Sequence, residues 1–287
     1  MKNSSYFKIQ WIIIALALTL EILTGLNENN KMEQWGPVLC VACFCTFAFL
    51  HGRSLYGIRN MLVFFVIAFI VSWSYENLSI VTRFPFGSYF YTDRLGPKLL
   101  YAPIVIMPSY FGTTYLSWLM AQVISDGYGK MIKGSAVFTV PIIATFIMVM
   151  WDIVMDPFMS TISKGWIWKE GGGYFGVPFG NFLGWYLCVY TFCQIFSLYL
   201  FKYGKNASTQ IVSKKLYWIQ PAIMYSVVPI FTFVKMLYAS NVAITTADGH
   251  VWWTRDIYQT ASLMTITTML FVSIIVVIRI INEKKLS

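Results

Sequence analysis

Residues 135–156 read SAVFTVPIIATFIMVMWDIVMD, an apolar run that ends in two aspartates. No charged residue precedes Asp152 in this run. A helix of about 20 mostly apolar residues is long enough to cross the hydrocarbon core of a bilayer. The stretch therefore predicts a membrane-spanning helix. Its carboxyl groups are expensive to place in a membrane, so Asp152 and Asp156 are candidates for a functional role.

The whole chain has the composition of a membrane protein. Of its 287 residues, 57% are hydrophobic and only 11% are charged, too little polar surface for a soluble domain of this size. We therefore predict an all-α, polytopic membrane helix bundle that forms one domain over residues 1–287. The same length criterion predicts about eight spans, near 9–25, 35–50, 60–80, 99–123, 135–156, 179–201, 216–238 and 260–281.

The distribution of basic residues predicts the orientation. The net charge is +9, but Lys and Arg are dispersed over short loops, which does not favour nucleic-acid binding. Thirteen of them fall on the side of the two termini and seven on the other side. The positive-inside rule then places both termini in the cytoplasm. A bacterial inner membrane is the expected location, with the bilayer as a partner.

Two connections on the non-cytoplasmic side are rich in glycine, proline and aromatic residues. The first lid, residues 81–98, reads VTRFPFGSYFYTDRLGPK, and the second lid, residues 158–178, reads FMSTISKGWIWKEGGGYFGVP. Neither is strongly hydrophilic. Irregular backbone near a membrane is tolerated where protein or a cavity covers it, so both segments are expected to fold back over the helix ends.

Five ionisable residues fall within the predicted spans or at their edges: Glu21, Glu76, Asp152, Asp156 and Lys235. Asp152 and Asp156 are four residues apart, which places them on one face of a helix. Two carboxylates so close in a poorly hydrated site cannot both ionise cheaply, so one is expected to act as a general acid. Glu76 directly precedes the first lid and can approach the pair. For Glu21 and Lys235, snorkelling or a structural ion pair remains an equal alternative.

The sequence gives no pattern typical of a cofactor or metal site. His51 and His250 are too few for a di-iron hydroxylase, and Cys40 with Cys43 lacks a second cysteine pair. The glycines at 171–173 follow no predicted strand, so a dinucleotide-binding turn is unsupported. We predict neither a cofactor nor a metal. Acid chemistry on an apolar substrate is the remaining interpretation, with aromatic faces that stabilise a cation.

Three ordered motifs resemble a known family. Glu76 leads into FPFGSYFYTDRLGPKL, WDIVMDP covers residues 151–157, and WIWKEGGGYFGVPFGNFLGWY covers residues 166–186. Over residues 70–190 the chain resembles the carotenoid biosynthesis membrane family of carotenoid hydratases. Members of that family add water across a terminal double bond of an acyclic carotenoid end, as in the 1,2-hydration of gamma-carotene or lycopene and the hydration of bisanhydrobacterioruberin.

The resemblance implies a carotenoid or other long isoprenoid substrate and chemistry without a cofactor. The family's haloarchaeal members are expected to carry acidic surfaces, whereas this chain is basic, which favours a C40 substrate over a C50 one. Asp152 or Asp156 would protonate the alkene, and Glu76 would position or activate water. The expected substrate-binding residues are Phe84, Tyr89, Tyr91, Trp151, Trp166, Trp168, Tyr174, Phe175, Asn181 and Lys235. Each of the aromatic residues could equally belong to an interfacial belt.

Two alternatives remain open. A terpene or carotenoid cyclase starts with the same protonation and differs only in what captures the cation. A membrane protein that binds carotenoid or lipid without changing it is the second alternative. A hydroxylated product, a cyclic product or an unchanged pigment would distinguish the three.

Overall fold

The chain forms a bundle of apolar helices. A computed structural model describes residues 2–27, 30–128, 132–204 and 214–286. In this part of the chain, six helical stretches are long and apolar enough to cross a membrane. The predicted all-α membrane bundle is confirmed. Its helices are α1 (Lys2–Leu26), α2 (Asn30–Thr82), α3 (Ile106–Ile124), α4 (Ala136–Asp156), α5 (Phe179–Tyr203), α6 (Lys215–Val227), α7 (Ile230–Tyr238), α8 (Thr254–Met264) and α9 (Phe271–Asn282).

Helix α2 reverses direction at Gly57. This residue has φ 79° and ψ 157°, a conformation outside the helical region that glycine adopts readily. The ring centroids of Phe49 and Phe65 lie 5.7 Å apart, whereas sixteen positions of continuous helix would separate them by about 24 Å. The two halves of α2 are therefore antiparallel and correspond to the predicted second and third spans.

Helix α3 lies inside the bundle. Nearly all of its residues are buried, and Phe111 packs between Phe49 and Phe65 with ring centroids 4.9 and 5.2 Å away. A helix that is apolar on all sides is typical of an interior position. The six long stretches include α2 as one stretch and do not include α3. The predicted total of eight spans therefore stays a prediction.

The outer helices present apolar side chains to the bilayer. On α4, Phe138, Ile142 and Phe146 are exposed at spacings of four residues. On α9, Ile274 and Ile278 are exposed with the same spacing. This period places the exposed side chains of each helix in one stripe, as expected for contact with lipid.

Both lids lie at one end of the bundle, here called the lid end. Strand β1 (Tyr89–Tyr91) of the first lid pairs antiparallel with β4 (Trp166–Trp168) of the second lid. The first lid ends in β2 (Lys98–Leu99), which pairs with β3 (Ala102–Pro103). A hairpin of β5 (Ala243–Thr245) and β6 (Val251–Trp253) lies at the same end.

The second lid begins later than the sequence predicts. Residues Pro157–Ile162 continue α4 as a π-helical turn, so the irregular segment starts at Ser163. Proline lacks an N–H and disturbs the regular helical ladder, and a wider turn accommodates that change. The Ser160 hydroxyl donates to the Asp156 carbonyl oxygen at 2.8 Å, which satisfies part of the disturbed backbone.

The start of α6 and the ends of α3 and α9 meet at the opposite end of the bundle. Lys215 Nζ donates to the Ile281 carbonyl oxygen at 2.6 Å, and Arg279 pairs with Asp126 at 2.7 Å. Because successive helices alternate in direction, both ends of the described chain lie away from the lids.

We expect reporter fusions after Lys215 and at Ser287 both to report a cytoplasmic location. Ser287 itself lies outside the described residues. The reason is the excess of basic residues on this side of the bundle. Paired fusions to alkaline phosphatase and to a fluorescent protein measure the location. A fusion within the first lid serves as the control, since it should report a periplasmic location. A periplasmic signal at either terminal position would contradict the orientation.

Candidate active site

Asp152 and Asp156 share one hydrogen-bond donor. Asn181 Nδ2, at the start of α5, lies 3.1 Å from Asp152 Oδ2 and 2.6 Å from Asp156 Oδ2. All three side chains are at least 98% buried. The Oδ2 atoms of Asp152 and Asp156 therefore lie at most two hydrogen-bond lengths apart, because both accept from the same amide nitrogen. The spacing of four residues on α4 makes this possible, because it places both groups on one face of the helix.

Asp156 accepts hydrogen bonds at both of its carboxyl oxygens. Besides the Asn181 amide at Oδ2, the indole nitrogens of Trp166 and Trp168 donate to Oδ1 at 3.1 and 3.4 Å. All three donors are N–H groups, which cannot accept a hydrogen bond from a protonated acid. The ionised carboxylate is therefore the form of Asp156 that fits this site.

Asp152 has a different environment. Its Oδ2 receives the Asn181 amide, but Oδ1 has no hydrogen-bond partner within the described ranges. A fully buried carboxylate oxygen without a donor is costly, whereas a protonated oxygen there carries a proton that it can give away. The two aspartates are therefore unequal, and the unpaired oxygen belongs to Asp152.

Glu76 is surrounded by tyrosine hydroxyls. Tyr89 and Tyr91 both donate to Oε2, the latter at 2.8 Å, and Tyr110 donates to Oε1 at 3.0 Å. The side chain is 97% buried. A carboxylate can only accept hydrogen bonds, so the ionised form of Glu76 fits the three O–H donors on its two oxygens.

The β1–β4 pair brings these donors together. Tyr89 lies opposite Trp168 and Tyr91 opposite Trp166, and directly opposed residues of an antiparallel pair share one face. All four side chains are buried, while Phe90 between them is exposed. Burial, followed by the nearby Glu76 carboxyl, raises the pKa of Tyr89 and Tyr91 well above the ordinary phenol value. The phenols therefore stay neutral donors.

A small cavity lies between the carboxyl groups. Glu76, Asp156 and Asn181 line it, whereas Asp152 reaches it only through Asn181. The other lining residues are mainly aromatic: Phe86, Tyr89, Tyr91, Tyr110, Trp151, Trp166, Trp168 and Trp185, with Ile106, Ser109 and Met155. The cavity is therefore polar on one wall and aromatic elsewhere.

A larger cavity adjoins the first, and its walls are mostly apolar. Both cavities are lined by Ile106, Ser109, Trp151, Met155 and Trp166. The two cavities are therefore neighbours at the lid end of the bundle, with these five residues between them. Such a shape, with few polar groups and long apolar walls, is typical of a site for an apolar ligand.

Two of the expected substrate-binding residues form an outer layer. The Tyr174 hydroxyl donates to the Ile153 carbonyl oxygen at 3.2 Å, and the ring of Phe175 lies 5.3 Å from that of Trp252 in β6. Neither residue lines the two cavities. They hold the second lid between α4 and the β5–β6 hairpin.

Phe84 and Lys235 also lie apart from the carboxyl groups. Phe84 is 57% exposed in the first lid. Lys235 Nζ donates to the Asn27 carbonyl oxygen at 2.9 Å and ties the end of α7 to the end of α1. Neither residue lines the two cavities, so their expected role in substrate binding stays a prediction.

The sequence-based prediction did not include Tyr110, Trp185 and Phe86. The rings of Tyr110 and Trp185 stack with centroids 4.4 Å apart, which fixes the phenol against Glu76. A buried tyrosine usually finds a partner for its hydroxyl, so an intramembrane glutamate was the signal that could have identified Tyr110.

Within the described ranges, no group of three or more His, Cys, Asp and Glu side chains is placed to hold a metal ion. His51 is buried between the Tyr115 hydroxyl at 2.7 Å and the Tyr217 carbonyl oxygen at 2.9 Å. The carbonyl only accepts, so His51 Nε2 donates and Nδ1 accepts from the phenol. This histidine is a fully paired core residue.

Comparison with known proteins gives one match. Residues 35–251 match a family described as carotenoid biosynthesis protein. No curated protein and no solved structure matched the chain. The matched range contains Glu76, Asp152, Asp156, Asn181 and both lids.

Proposed function

This chain belongs to the carotenoid biosynthesis protein family, and on that premise we propose that it is a carotenoid hydratase. It adds water across the terminal double bond of an acyclic carotenoid end group and forms a tertiary alcohol. The observation that carries the proposal is the unequal aspartate pair, in which a buried Asp152 oxygen has no hydrogen-bond partner within the described residues. An acid of this kind suits protonation of an alkene in a dry site.

The first step transfers a proton. The Asn181 amide lies between Asp152 and the cavity, so the end of the alkene displaces this amide to reach the acid. The O–H bond at Asp152 then breaks, and a C–H bond forms at the hydrogen-bearing carbon of the terminal alkene. The positive charge then lies on the dimethyl carbon. Asp156 stays a carboxylate because three N–H groups donate to it. Its charge and the aromatic faces of the cavity stabilise the cation.

The second step adds water. The oxygen of a water molecule forms a C–O bond with the cation, and Glu76 accepts the proton that the water releases. Transfer of this proton back to Asp152 restores the starting state, so the net reaction consumes one water and no cofactor. The three tyrosines that donate to Glu76 hold its carboxylate in position for this role.

The larger cavity would accommodate the rest of the isoprenoid chain, because its walls are apolar and it shares five lining residues with the catalytic cavity. We propose a C40 carotenoid as the substrate and the bacterial inner membrane as the location, with the lids on the non-cytoplasmic side.

Expression in a lycopene-producing host tests the proposal. Extracted pigments are separated by chromatography and their masses are determined by mass spectrometry, with an empty vector as the control. We expect a product heavier than lycopene by one water. Unchanged lycopene would contradict the enzymatic proposal and favour a binding protein.

A cyclase is the second candidate. The aromatic rings that surround the carboxyl groups would also shield a cation from water, as cyclisation requires. In the same assay, a product with the mass of lycopene but a different retention time would favour this alternative.

A further inference from the structure

The wall of the larger cavity formed by α1 and the beginning of α2 carries polar groups. Glu21 and Thr24 line the cavity from α1, and their spacing of three residues places them on one helix face. Their exposed fractions are 7% and 4%. Neither residue takes part in the chemistry proposed above.

Both groups have hydrogen-bonding capacity to spare. The Glu21 carboxyl is paired with the thiol of Cys40, a weak donor that leaves most of its acceptor sites open. Thr24 Oγ1 has no hydrogen-bond partner within the described part of the chain. Gly36 leaves room for this hydroxyl, since a Cβ added there would lie 2.2 Å from Thr24 Oγ1.

The surroundings make these two groups conspicuous. The same cavity is lined by Val41, Phe44, Phe158 and Phe231, and it shares Trp151 with the catalytic cavity. A pure hydrocarbon that filled this space would leave Thr24 without a partner. Buried polar groups are normally hydrogen-bonded, so the ligand is expected to supply the missing partner.

We propose that Glu21 and Thr24 recognise a hydroxyl group on the isoprenoid substrate, distant from the double bond that reacts. An alcohol both donates and accepts, so its proton goes to the Glu21 carboxyl while its oxygen accepts from Thr24 Oγ1. The inference rests on the proposed function only in taking an isoprenoid as the ligand. It implies that an already hydroxylated chain is preferred over the matching hydrocarbon.

A binding experiment with two matched probes tests this site. Geranylgeraniol and geranylgeranyl methyl ether have the same acyclic chain, but the ether cannot donate to Glu21. Displacement of tritiated geranylgeraniol from the purified protein in nanodiscs gives both affinities. A net hydrogen bond of ordinary strength predicts about five- to tenfold tighter binding of the alcohol.

Glu21→Leu is expected to reduce this preference to less than about twofold. Thr24→Val is expected to weaken both probes by a similar factor, about five- to tenfold, because the alcohol oxygen and the ether oxygen both accept from Thr24. Thr24→Val keeps the shape of the side chain, so it remains informative if Glu21→Leu does not fold. Thr19→Val is the matched control, because Thr19 is exposed on α1 and its hydroxyl donates to the Ala15 carbonyl oxygen. This variant should keep the full preference.

Equal affinity of the unmodified protein for both probes would overturn the inference, and so would a preference that survives in Glu21→Leu or unchanged affinities for both probes in Thr24→Val. Binding of neither probe would also overturn it. The pigment assay is an independent readout, because lycopene has no hydroxyl group. A protein that prefers the alcohol but leaves lycopene unchanged supports this site and contradicts the proposed hydration.

Discussion

Asp152→Asn is expected to reduce hydration by about 10² to 10⁴-fold, the usual cost of losing a general acid. The substitution keeps the size of the side chain and its bond to Asn181, but it removes the acidic proton. Asp156→Asn is expected to retain measurable turnover, because it changes the group that stabilises the cation and leaves the donor in place. The unpaired Asp152 oxygen is the reason for this order.

Single-turnover product formation from lycopene in nanodiscs measures both rates. Asp126→Asn is the matched control, since Asp126 lies at the opposite end of the bundle in an exposed pair with Arg279. It should retain full activity. Near-normal hydration by both Asp152→Asn and Asp156→Asn would make the pair structural, and Glu76 would then be the next candidate for the acid.

Glu76→Gln should lower hydration by roughly 10²-fold. A carboxylate about 5 Å from the cation contributes roughly 3 kcal/mol at an effective dielectric constant of about 20, and the neutral amide removes that attraction. The amide nitrogen of glutamine also replaces one of the two accepting oxygens, so its N–H donors face either the Tyr110 hydroxyl or those of Tyr89 and Tyr91, which now donate to Glu76. Both effects act in the same direction.

The same product assay tests this variant, and the matched control is Glu170→Gln. Glu170 lies in the second lid and pairs with Arg83 at 2.9 Å, but both side chains are largely exposed. Surface ion pairs contribute little, so the control should be close to the unmodified protein. If the two glutamine variants are equally active, Glu76 does not take part in the reaction.

The positions of the helices and of the buried carboxyl groups could be predicted from the sequence. Long apolar runs and a spacing of four residues are local signals, and they placed Asp152 and Asp156 on one face of α4. The break at Gly57 is also local, since it separates two predicted spans.

Contacts between distant segments could not be predicted in this way. Tyr110 reaches Glu76 from a helix 34 positions away, and its sequence surroundings resemble those of any buried tyrosine. Strands β1 and β4 are each only three residues long, which is too short for an alternation of polar and apolar residues to predict their pairing. The position of Lys235 depends on how α7 packs against α1, which composition does not encode.

The lids also bear on how the protein folds. Glu76 finds two of its donors 13 and 15 residues further along the chain, and Asp156 finds its indole donors 10 and 12 residues further along. Loops this short close at low entropic cost, so the donors of each lid can bind the carboxyl group next to it independently of the other lid. The β1–β4 ladder then joins segments more than 70 residues apart. Formation of the complete site therefore depends on one late contact of high contact order, and the apolar space beneath the lids stays open to lipid until that contact forms.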